Sequence, residues 1–282
     1  MPLLMTGATP APKCAYIIRH GETEWSLSGR HTGRTDLPLT ARGEDEARAL
    51  APGLRDTQFA HVLTSLLVRA RRTCELAGLG ARAAIDPDLA EWNYGDYEGR
   101  RSVDIRKQRP DWNVFLDGCP HGETPEQICI RADRLIARLH ALDGSIALFS
   151  HGQFGRVLAA RWIGLAVADA QHFAFGTASL GILGCDPIHP EVAVIVLWNA
   201  APNNDFDQAA DPRAGDAGSA KQRALQRWEN EGGEIRSSPG TEPAKRDRHL
   251  IYSAECPGGR VGEREARAIF QGANDGRERR FD

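Results

Sequence analysis

The sequence predicts an α/β fold with a mostly parallel central sheet, and two observations support this prediction. Short apolar runs alternate with segments of helical periodicity, which is typical of parallel strands joined by helices. Two of the predicted strands also end in a histidine followed by a glycine. Such an ending indicates that this edge of the sheet faces a ligand, because ligands bind beyond the carboxyl ends of strands in open α/β sheets.

The first predicted strand covers residues 16–18 and ends at Arg19-His20-Gly21. Arg19 and His20 are therefore expected at the mouth of a cleft. Arginine offers a planar fork of donors that suits phosphate, and a neutral imidazole beside it can attack phosphorus. Gly21 is expected to let the backbone approach a ligand closely. The alternative is an arginine and a histidine that only cap a strand at the protein surface.

The next segments continue the alternation of helix and strand. A polar loop leads to a helix that Thr40 caps and Pro52-Gly53 ends. A strand over 61–65 then continues into a helix with Ser65 as its cap. Arg69 lies one turn into this helix, close to the same carboxyl edge of the sheet, although a solvated helix residue is the alternative.

A third short strand is predicted over 83–85, and the aromatic and acidic loop after it opens with Glu91. Residues 103–121 are predicted to form a helical lid or insertion. The tetrapeptide His-Gly-Glu-Thr, which also follows the first strand, recurs at 121–124. In this second place it fits a capping box, so we interpret it as the start of a helix over 125–141.

The strand over 145–149 ends at His151, and a helix follows, as in the opening of the chain. His151 is therefore expected at the same edge of the sheet as His20, with a capping or core histidine as the alternative. The last predicted strands, 178–183 and 192–198, form an antiparallel pair that closes the sheet.

Composition divides the chain into a leader over 1–13, a folded domain over 14–200 and a polar extension over 201–282. The leader is short and rich in proline and small residues. The extension contains few aromatic or β-branched residues, so it is predicted to be disordered or weakly helical.

Charge and cysteine content argue against several classes of function. The net charge of −3 gives no basic excess, so neither a nucleic-acid partner nor a membrane partner is predicted. The six cysteines are scattered and none forms a C-x-x-C pair, so neither a zinc site nor a disulfide framework is expected. The first apolar run is too short for a signal peptide. These observations indicate six reduced thiols in a cytoplasmic protein, and they leave a homo-oligomer open.

The segment Arg19-His20-Gly21-Glu22-Thr23 resembles the signature of the histidine phosphatase family, which includes phosphoglycerate mutases and many small-molecule phosphatases. The resemblance covers about the first two hundred residues and extends to the motifs around Arg69, Glu91 and His151. It implies a three-layer αβα sandwich, with 14–200 as the catalytic domain. It also implies a phosphatase that needs no metal and no cofactor, because arginines supply the positive charge.

The resemblance implies a role for each central side chain. His20 would be the nucleophile and would form a phosphohistidine. Arg19, Arg69 and His151 would hold the phosphoryl oxygens. Glu91 would protonate the leaving alcohol and then activate water as a carboxylate, so it must carry a proton at the start of the cycle.

Further positions are expected to bind the substrate, a small phosphate ester. Ser26 stands where many family members have asparagine, and it can still donate one hydrogen bond to a phosphate. Arg100 or its neighbour Arg101 could meet a second phosphate at the rim. The predicted substrate-binding residues are Ser26, Thr32, Gly33, Tyr94 and Arg100.

The sequence around Glu91 looks similar to fungal sedoheptulose-1,7-bisphosphatase and its relatives, which suggests a sugar phosphate or bisphosphate as substrate. A phosphoglycerate mutase is the first alternative, but Arg100-Arg101-Ser102 stands near the place where the mutases carry a lysine. A phospho-ligand binding module without catalysis is the second alternative. Glu91, His20 and His151 argue against that alternative.

Overall fold

A six-stranded sheet forms the centre of the fold in the computed structural model, which describes residues 14–202. Its strands are β1 (Ala15–Arg19), β2 (Phe59–Thr64), β3 (Ala83–Ile85), β4 (Ser145–Ser150), β5 (Leu180–Cys185) and β6 (Ala193–Ala200). They lie in the order β3-β2-β4-β1-β5-β6. The first four strands pair in parallel, whereas β5 and β6 are antiparallel to their neighbours. The predicted sheet, mostly parallel and closed by an antiparallel pair, is confirmed.

The helices of this part of the chain lie between the strands. They are α1 (Glu24–Ser28), α2 (Ala41–Arg48), α3 (Ala51–Arg55), α4 (Val68–Leu76), α5 (Ser102–Arg106), α6 (Val114–Asp117), α7 (Pro125–Ala141) and α8 (Gly152–Trp162). Short 3-10 helices cover Gly80–Arg82, Pro87–Leu89, Gly95–Tyr97 and Val167–His172.

The central strand β1 divides the core into two layers, because successive side chains of a strand point to opposite faces. Ile17 packs into a cluster that contains the apolar faces of α7 and α8. Ile18 packs into a second cluster with Leu50, Leu54 and Cys74 from the helices of the other face. Both isoleucines are fully buried, and each such side chain stabilises the fold by roughly 1.5–3 kcal/mol. The three-layer αβα architecture is therefore confirmed.

Helix α7 confirms the predicted helix over 125–141 and its bounds. Thr124 Oγ1 accepts from the Gln127 amide at 3.2 Å, and Gln127 Oε1 accepts from the Thr124 amide at 2.9 Å, as in a capping box. The second His-Gly-Glu-Thr is thus the start of a helix. His121 within it is exposed and pairs with Asp96.

Three predicted segments differ from the structure. The polar loop after β1 contains α1, because Thr23 and Ser26 form a capping box and Gly29 takes a left-handed φ of 70° at the helix end. Pro52-Gly53 does not end a helix but lies within α3, since proline is tolerated in the first turn. The predicted lid over 103–121 is two short helices, α5 and α6, joined by a loop.

Four of the cysteines, Cys14, Cys74, Cys119 and Cys185, carry free thiols. Cys129 is disulfide-bonded, so the expectation of six reduced thiols is wrong for that residue. Among the helices of residues 14–202, none combines the length and the apolar character needed to cross a membrane. The predictions for the leader over 1–13 and for residues 203–282 lie outside the described residues.

Candidate active site

The parallel pairing of β1 with β4 brings two histidines together at the carboxyl edge of the sheet. Arg19 lies opposite Ser150 in the register, and each strand is followed directly by a histidine. The ring centroids of His20 and His151 are 5.2 Å apart, with the ring planes at 62°. The structure therefore brings these two predicted site residues together.

The imidazole of His20 is held in one tautomer. Its Nδ1–H donates to the Gly21 carbonyl oxygen at 2.7 Å, and a carbonyl oxygen can only accept. The lone pair consequently lies on Nε2. Burial, followed by the positive charges of Arg69 and Arg19, holds the pKa of His20 well below its usual value. His20 is thus a neutral nitrogen nucleophile, which is the form that can attack phosphorus.

A packing contact with another backbone segment requires glycine at position 21. This differs from the expectation that Gly21 lets the backbone approach a ligand closely. A Cβ atom at Gly21 would overlap the carbonyl oxygen of Gly43 in α2, and one at Gly43 would overlap the carbonyl oxygen of Glu22. The backbone of the His20 loop therefore rests directly on α2. The Gly21 amide also donates to Thr73 Oγ1 at 3.0 Å.

Arg69 is fully buried, so it is not a solvated helix residue. Its Nε–H donates to His151 Nδ1 at 3.2 Å. Its terminal nitrogens donate to the carbonyl oxygens of Thr35 at 2.9 Å, Thr32 at 3.0 Å and Gly33 at 3.0 Å. Four of the five guanidinium N–H groups are engaged in this way. Arg69 thus joins the loop over 32–35 to His151.

The other nitrogen of His151 contacts Ser65. Because Nδ1 accepts from Arg69, the hydrogen lies on Nε2 and is donated to Ser65 Oγ at 2.8 Å. Burial, reinforced by the charge of Arg69, holds the pKa of His151 well below its usual value. The sequence predicts Ser65 as a helix cap, but the structure contradicts this, because α4 begins three residues later and directly follows Leu67. It orients the second histidine instead.

The carboxylate of Glu91 lies at the N-terminus of α8. It accepts hydrogen bonds from the amides of Trp92 at 2.9 Å, Gln153 at 3.0 Å and Phe154 at 2.8 Å. Two of these donors belong to the first turn of α8, where the helix dipole also favours negative charge. These contacts fix the carboxyl group of Glu91 next to His151, the residue before α8.

Arg131 of α7 holds the segment that carries Glu91. Its Nη1 donates to the carbonyl oxygens of Asp88 at 2.8 Å and Ala90 at 2.7 Å. Its guanidinium also pairs with Glu123 at 2.8 Å and lies 4.3 Å from the ring centroid of Phe154. Arg131 therefore ties the acid segment to both α7 and α8.

Arg19 is buried beside the two histidines, and its Nη1 donates to the Phe175 carbonyl oxygen at 2.5 Å. A Cβ atom at Gly152 would lie 3.1 Å from Arg19 Cζ. The glycine that follows His151 thus leaves room for the guanidinium.

A cavity of about 30 Å³ opens at this edge, and we call it the catalytic cavity. Six of the predicted site residues line it: Arg19, His20, Ser26, Thr32, Glu91 and Tyr94. Arg69 and His151 are fully buried and do not line it. Gly33 also does not line it, and its amide donates to Glu98 Oε1 at 2.8 Å. Arg100 lines a neighbouring cavity instead.

Ser26 and Tyr94 line the catalytic cavity, and each also contacts another residue of the protein. The Ser26 hydroxyl donates to the Thr23 carbonyl oxygen at 3.0 Å as part of the α1 cap. A phosphate must therefore compete with that carbonyl for this hydrogen. Tyr94 is buried and stacks on His31 with ring centroids 4.6 Å apart. The Thr32 hydroxyl donates to the Arg30 carbonyl oxygen at 3.2 Å.

Sequence reasoning missed several residues that line or shape the site. Arg30, His31 and Gln153 line the catalytic cavity, and Glu98 holds Gly33 and Thr35 through their amides. Arg30 and His31 directly precede Thr32, and Gln153 follows His151 by two residues, so closeness in sequence was an available signal. No cluster of three metal-ligating side chains occurs within residues 14–202.

Comparisons with known proteins give a consistent family. The family model described as histidine phosphatase superfamily (branch 1) matches residues 15–200. An acid phosphatase of Mycobacterium tuberculosis is 39% identical over 185 residues, which cover 64% of this chain and 91% of that protein. The sedoheptulose 1,7-bisphosphatase of Saccharomyces cerevisiae is 41% identical over 189 residues, which cover 55% of this chain and 69% of that protein.

A solved structure of a Mycobacterium tuberculosis open reading frame has the same fold. It superposes with a TM-score of 0.63 at 36% identity, and the match covers 67% of this chain and 98% of that chain.

Proposed function

Because the chain belongs to the histidine phosphatase superfamily, we propose that it hydrolyses small phosphomonoesters through a phosphohistidine on His20. One observation carries the proposal. His20 is buried, neutral and protonated on Nδ1, and it lines a cavity shared with Arg19 and Glu91. A nucleophile, a cation and an acid–base group are the parts that phosphoryl transfer needs.

In the first step, His20 Nε2 attacks phosphorus and the bond to the leaving alcohol oxygen breaks. The electron pair stays on that oxygen, which takes a proton from Glu91. Arg19 stabilises charge on the phosphoryl oxygens from the wall of the cavity, whereas Arg69, which is fully buried, must become exposed to the cavity to do the same. The Gly21 carbonyl accepts from Nδ1–H and so stabilises the imidazolium that forms. His151 can donate its Nε2–H to a phosphoryl oxygen only if the hydrogen bond from this group to Ser65 Oγ breaks.

Glu91 must carry a proton when the substrate binds. The negative phosphoryl group beside the carboxylate favours that protonation, since two like charges at short distance disfavour each other. In the second step, the Glu91 carboxylate takes a proton from water, the water oxygen attacks phosphorus, and the N–P bond breaks. The electron pair returns to His20 Nε2, phosphate leaves, and Glu91 is protonated again.

A sugar phosphate is the substrate class that we propose. The catalytic cavity holds roughly the volume of two water molecules, so it admits the phosphoryl group while the rest of the ester stays outside. The names of the two similar phosphatases support a sugar ester or another small ester. The Ser26 hydroxyl, Thr32, Gly33 and Tyr94 remain proposed contacts to the substrate. A cytoplasmic location remains part of the proposal: the four free thiols favour it, whereas the disulfide at Cys129 does not.

The test is hydrolysis of p-nitrophenyl phosphate and a panel of sugar phosphates, measured as released inorganic phosphate with and without EDTA. We expect full activity in EDTA and a loss of at least about a thousandfold in kcat for His20→Ala. His189→Ala, at an exposed histidine far along the chain, is the matched control. Activity that needs a metal ion, or full activity in His20→Ala, contradicts the proposal. Interconversion of phosphoglycerates with little release of phosphate would instead indicate the mutase alternative.

A further inference from the structure

The peptide group between Gly21 and Glu22 lies between His20 and a carboxylate of α2. Its carbonyl oxygen accepts from His20 Nδ1–H at 2.7 Å. Its amide donates to Glu46 Oε2 at 3.1 Å. The Glu22 side chain turns to Thr40, whose hydroxyl donates to Glu22 Oε1 at 3.0 Å. The carboxylate that contacts this peptide group is therefore that of Glu46.

The charge of Glu46 acts on His20 through this shared peptide group. Hydrogen bonds at the two ends of one peptide group polarise it and strengthen each other. The Glu46 side chain is only 19% exposed, so water screens its charge in part. Its partner Arg42 lies 3.2 Å away but is 61% exposed, so this surface ion pair offsets the charge weakly. Glu46 thus makes the Gly21 carbonyl oxygen a stronger acceptor for Nδ1–H.

The His20 ring needs such support during phosphoryl transfer. The ring becomes positive when Nε2 bonds to phosphorus, because Nδ1 keeps its hydrogen. Burial and the positive charges of Arg69 and Arg19 oppose a charge on this ring and hold the pKa of His20 low. A negative charge roughly 8 Å from the ring, at the effective dielectric of a partly buried site, changes an equilibrium constant by about tenfold.

We propose that Glu46 is a positioning residue for the nucleophile, which stabilises the phosphohistidine through the Gly21–Glu22 peptide group and so sets the balance between its formation and its hydrolysis. This inference rests on the proposed phosphatase function. It adds no bond change to the two steps, and no proton passes to Glu46.

Glu46→Gln provides the kinetic test, because glutamine keeps an oxygen acceptor for the Glu22 amide but removes the charge. At saturating p-nitrophenyl phosphate, the ratio of phosphorylated to unphosphorylated enzyme equals the ratio of the rate constants for formation and hydrolysis of the phosphohistidine. Alkaline quenching and mass spectrometry measure this ratio, and kcat then gives each rate constant.

We expect formation to slow about threefold and hydrolysis to accelerate about threefold in Glu46→Gln, so that the ratio falls about tenfold. The two rates change in opposite directions because loss of the carboxylate destabilises the charged phosphohistidine relative to the neutral imidazole. If Glu46 has only a structural role, both rate constants should fall together. That outcome, or an unchanged ratio, overturns the inference.

Glu44→Gln is the matched control, because it makes the same substitution on the same helix. The Glu44 carboxylate pairs with Arg48 at 2.6 Å and with Arg72 at 3.0 Å, so this variant also loses ion pairs of α2. Its ratio should stay at the wild-type value.

An NMR measurement separates this inference from the proposed function, because it needs no substrate. In the free protein with isotope-labelled histidine, Glu46→Gln should move the His20 Nδ1–H proton resonance upfield, since a less polarised carbonyl oxygen accepts a weaker hydrogen bond. Glu44→Gln should leave it in place, and His20→Asn assigns it. An unmoved resonance in Glu46→Gln overturns the inference even if the wild type hydrolyses esters. A moved resonance, with no phosphohistidine in the wild type, supports the coupling of Glu46 to His20 and contradicts the proposed function.

Discussion

His20 and His151 are neutral because they are buried next to arginines, and this has a consequence for stability. Burial is the largest cause of the lowered pKa of each, and Arg69 lowers both further. In the unfolded chain, histidines titrate near a pKa of about 6.5. The unfolded state therefore binds more protons below that pH. The stability that the two neutral histidines contribute is present above about pH 6.5 and is lost as the pH falls toward their folded pKa values.

We predict that the imidazole resonances of His20 and His151 do not shift with a midpoint near pH 6.5 in NMR titrations of the folded protein. The unfolding free energy in urea should also decrease between about pH 7 and pH 5. His20→Asn and His151→Asn assign the resonances and should flatten the decrease. A midpoint at or above 6.5 for His20 would contradict its lowered pKa.

Single residues show how far the sequence alone could predict this site. His20 and His151 were predictable, because each directly follows a strand and parallel neighbours share a carboxyl edge. Ser65 was assigned as a helix cap, since its contact with His151 spans 86 residues and leaves no local pattern. The contact between Gly21 and Gly43 was missed for the same reason. Local signals locate the reactive groups, whereas their orienting partners depend on tertiary contacts.

At the scale of elements, Arg131 makes α7 a support for the acid segment. We predict that Arg131→Gln lowers kcat about tenfold with little change in KM, because the Asp88 and Ala90 carbonyl oxygens lose their donor and Glu91 shifts. Steady-state kinetics with p-nitrophenyl phosphate give both constants.

The matched control is Arg161→Gln. Arg161 also bridges α7 and α8, through Asp133 at 2.8 Å, and its side chain is 11% exposed against 12% for Arg131. If Arg131 has only a structural role, Arg131→Gln and Arg161→Gln should reduce stability equally, and Arg131→Gln should not lower kcat more than Arg161→Gln does. Equal kcat values for the two variants would contradict the positioning role.

Helix α2 supports the His20 loop through the glycine pair. We predict that Gly43→Ala destabilises the protein by about 1–3 kcal/mol, because the added methyl group overlaps the Glu22 backbone. Gly53→Ala in α3 is the control, since its Cβ atom would meet nothing within 4 Å. The denaturant midpoints of the two variants measure the difference. Similar midpoints would contradict the close packing of α2 on the loop.

The sequence predicted elements well where a strong local pattern defines them and poorly where packing decides. The α7 bounds followed from a capping box and apolar residues at helical spacing. The short helices α1, α3, α5 and α6 each have five residues or fewer. Periodicity needs about three turns to be distinctive, so elements this short give too little signal.

At the scale of the whole molecule, the described residues contain both the six-stranded sheet and the candidate site. The six strands and all proposed site residues lie within 15–200, which is also the range of the family match. We predict that, with all thiols kept reduced in both proteins, a chain ending at residue 202 stays folded, with a melting temperature within about 3 °C of the full chain and kcat within about twofold. An insoluble or inactive truncated protein would contradict this domain boundary.

The relation between the two cavities could not be predicted from sequence. Arg100 was expected at the rim, and it does line a cavity. Arg30 lines both cavities because residues 30–31 pair with residues 99–101. The two segments are about seventy positions apart in the sequence.

Phosphoryl transfer to His20 is the central claim, and direct detection of the covalent intermediate tests it. Glu91→Gln should trap this intermediate, because glutamine cannot activate water. After rapid mixing with p-nitrophenyl phosphate, mass spectrometry at alkaline pH should find one phosphoryl group per chain on the peptide that contains His20. No such group should form in a variant that also carries His20→Ala. A phosphoryl group on another residue, or turnover in which His20 never carries one, would contradict the account.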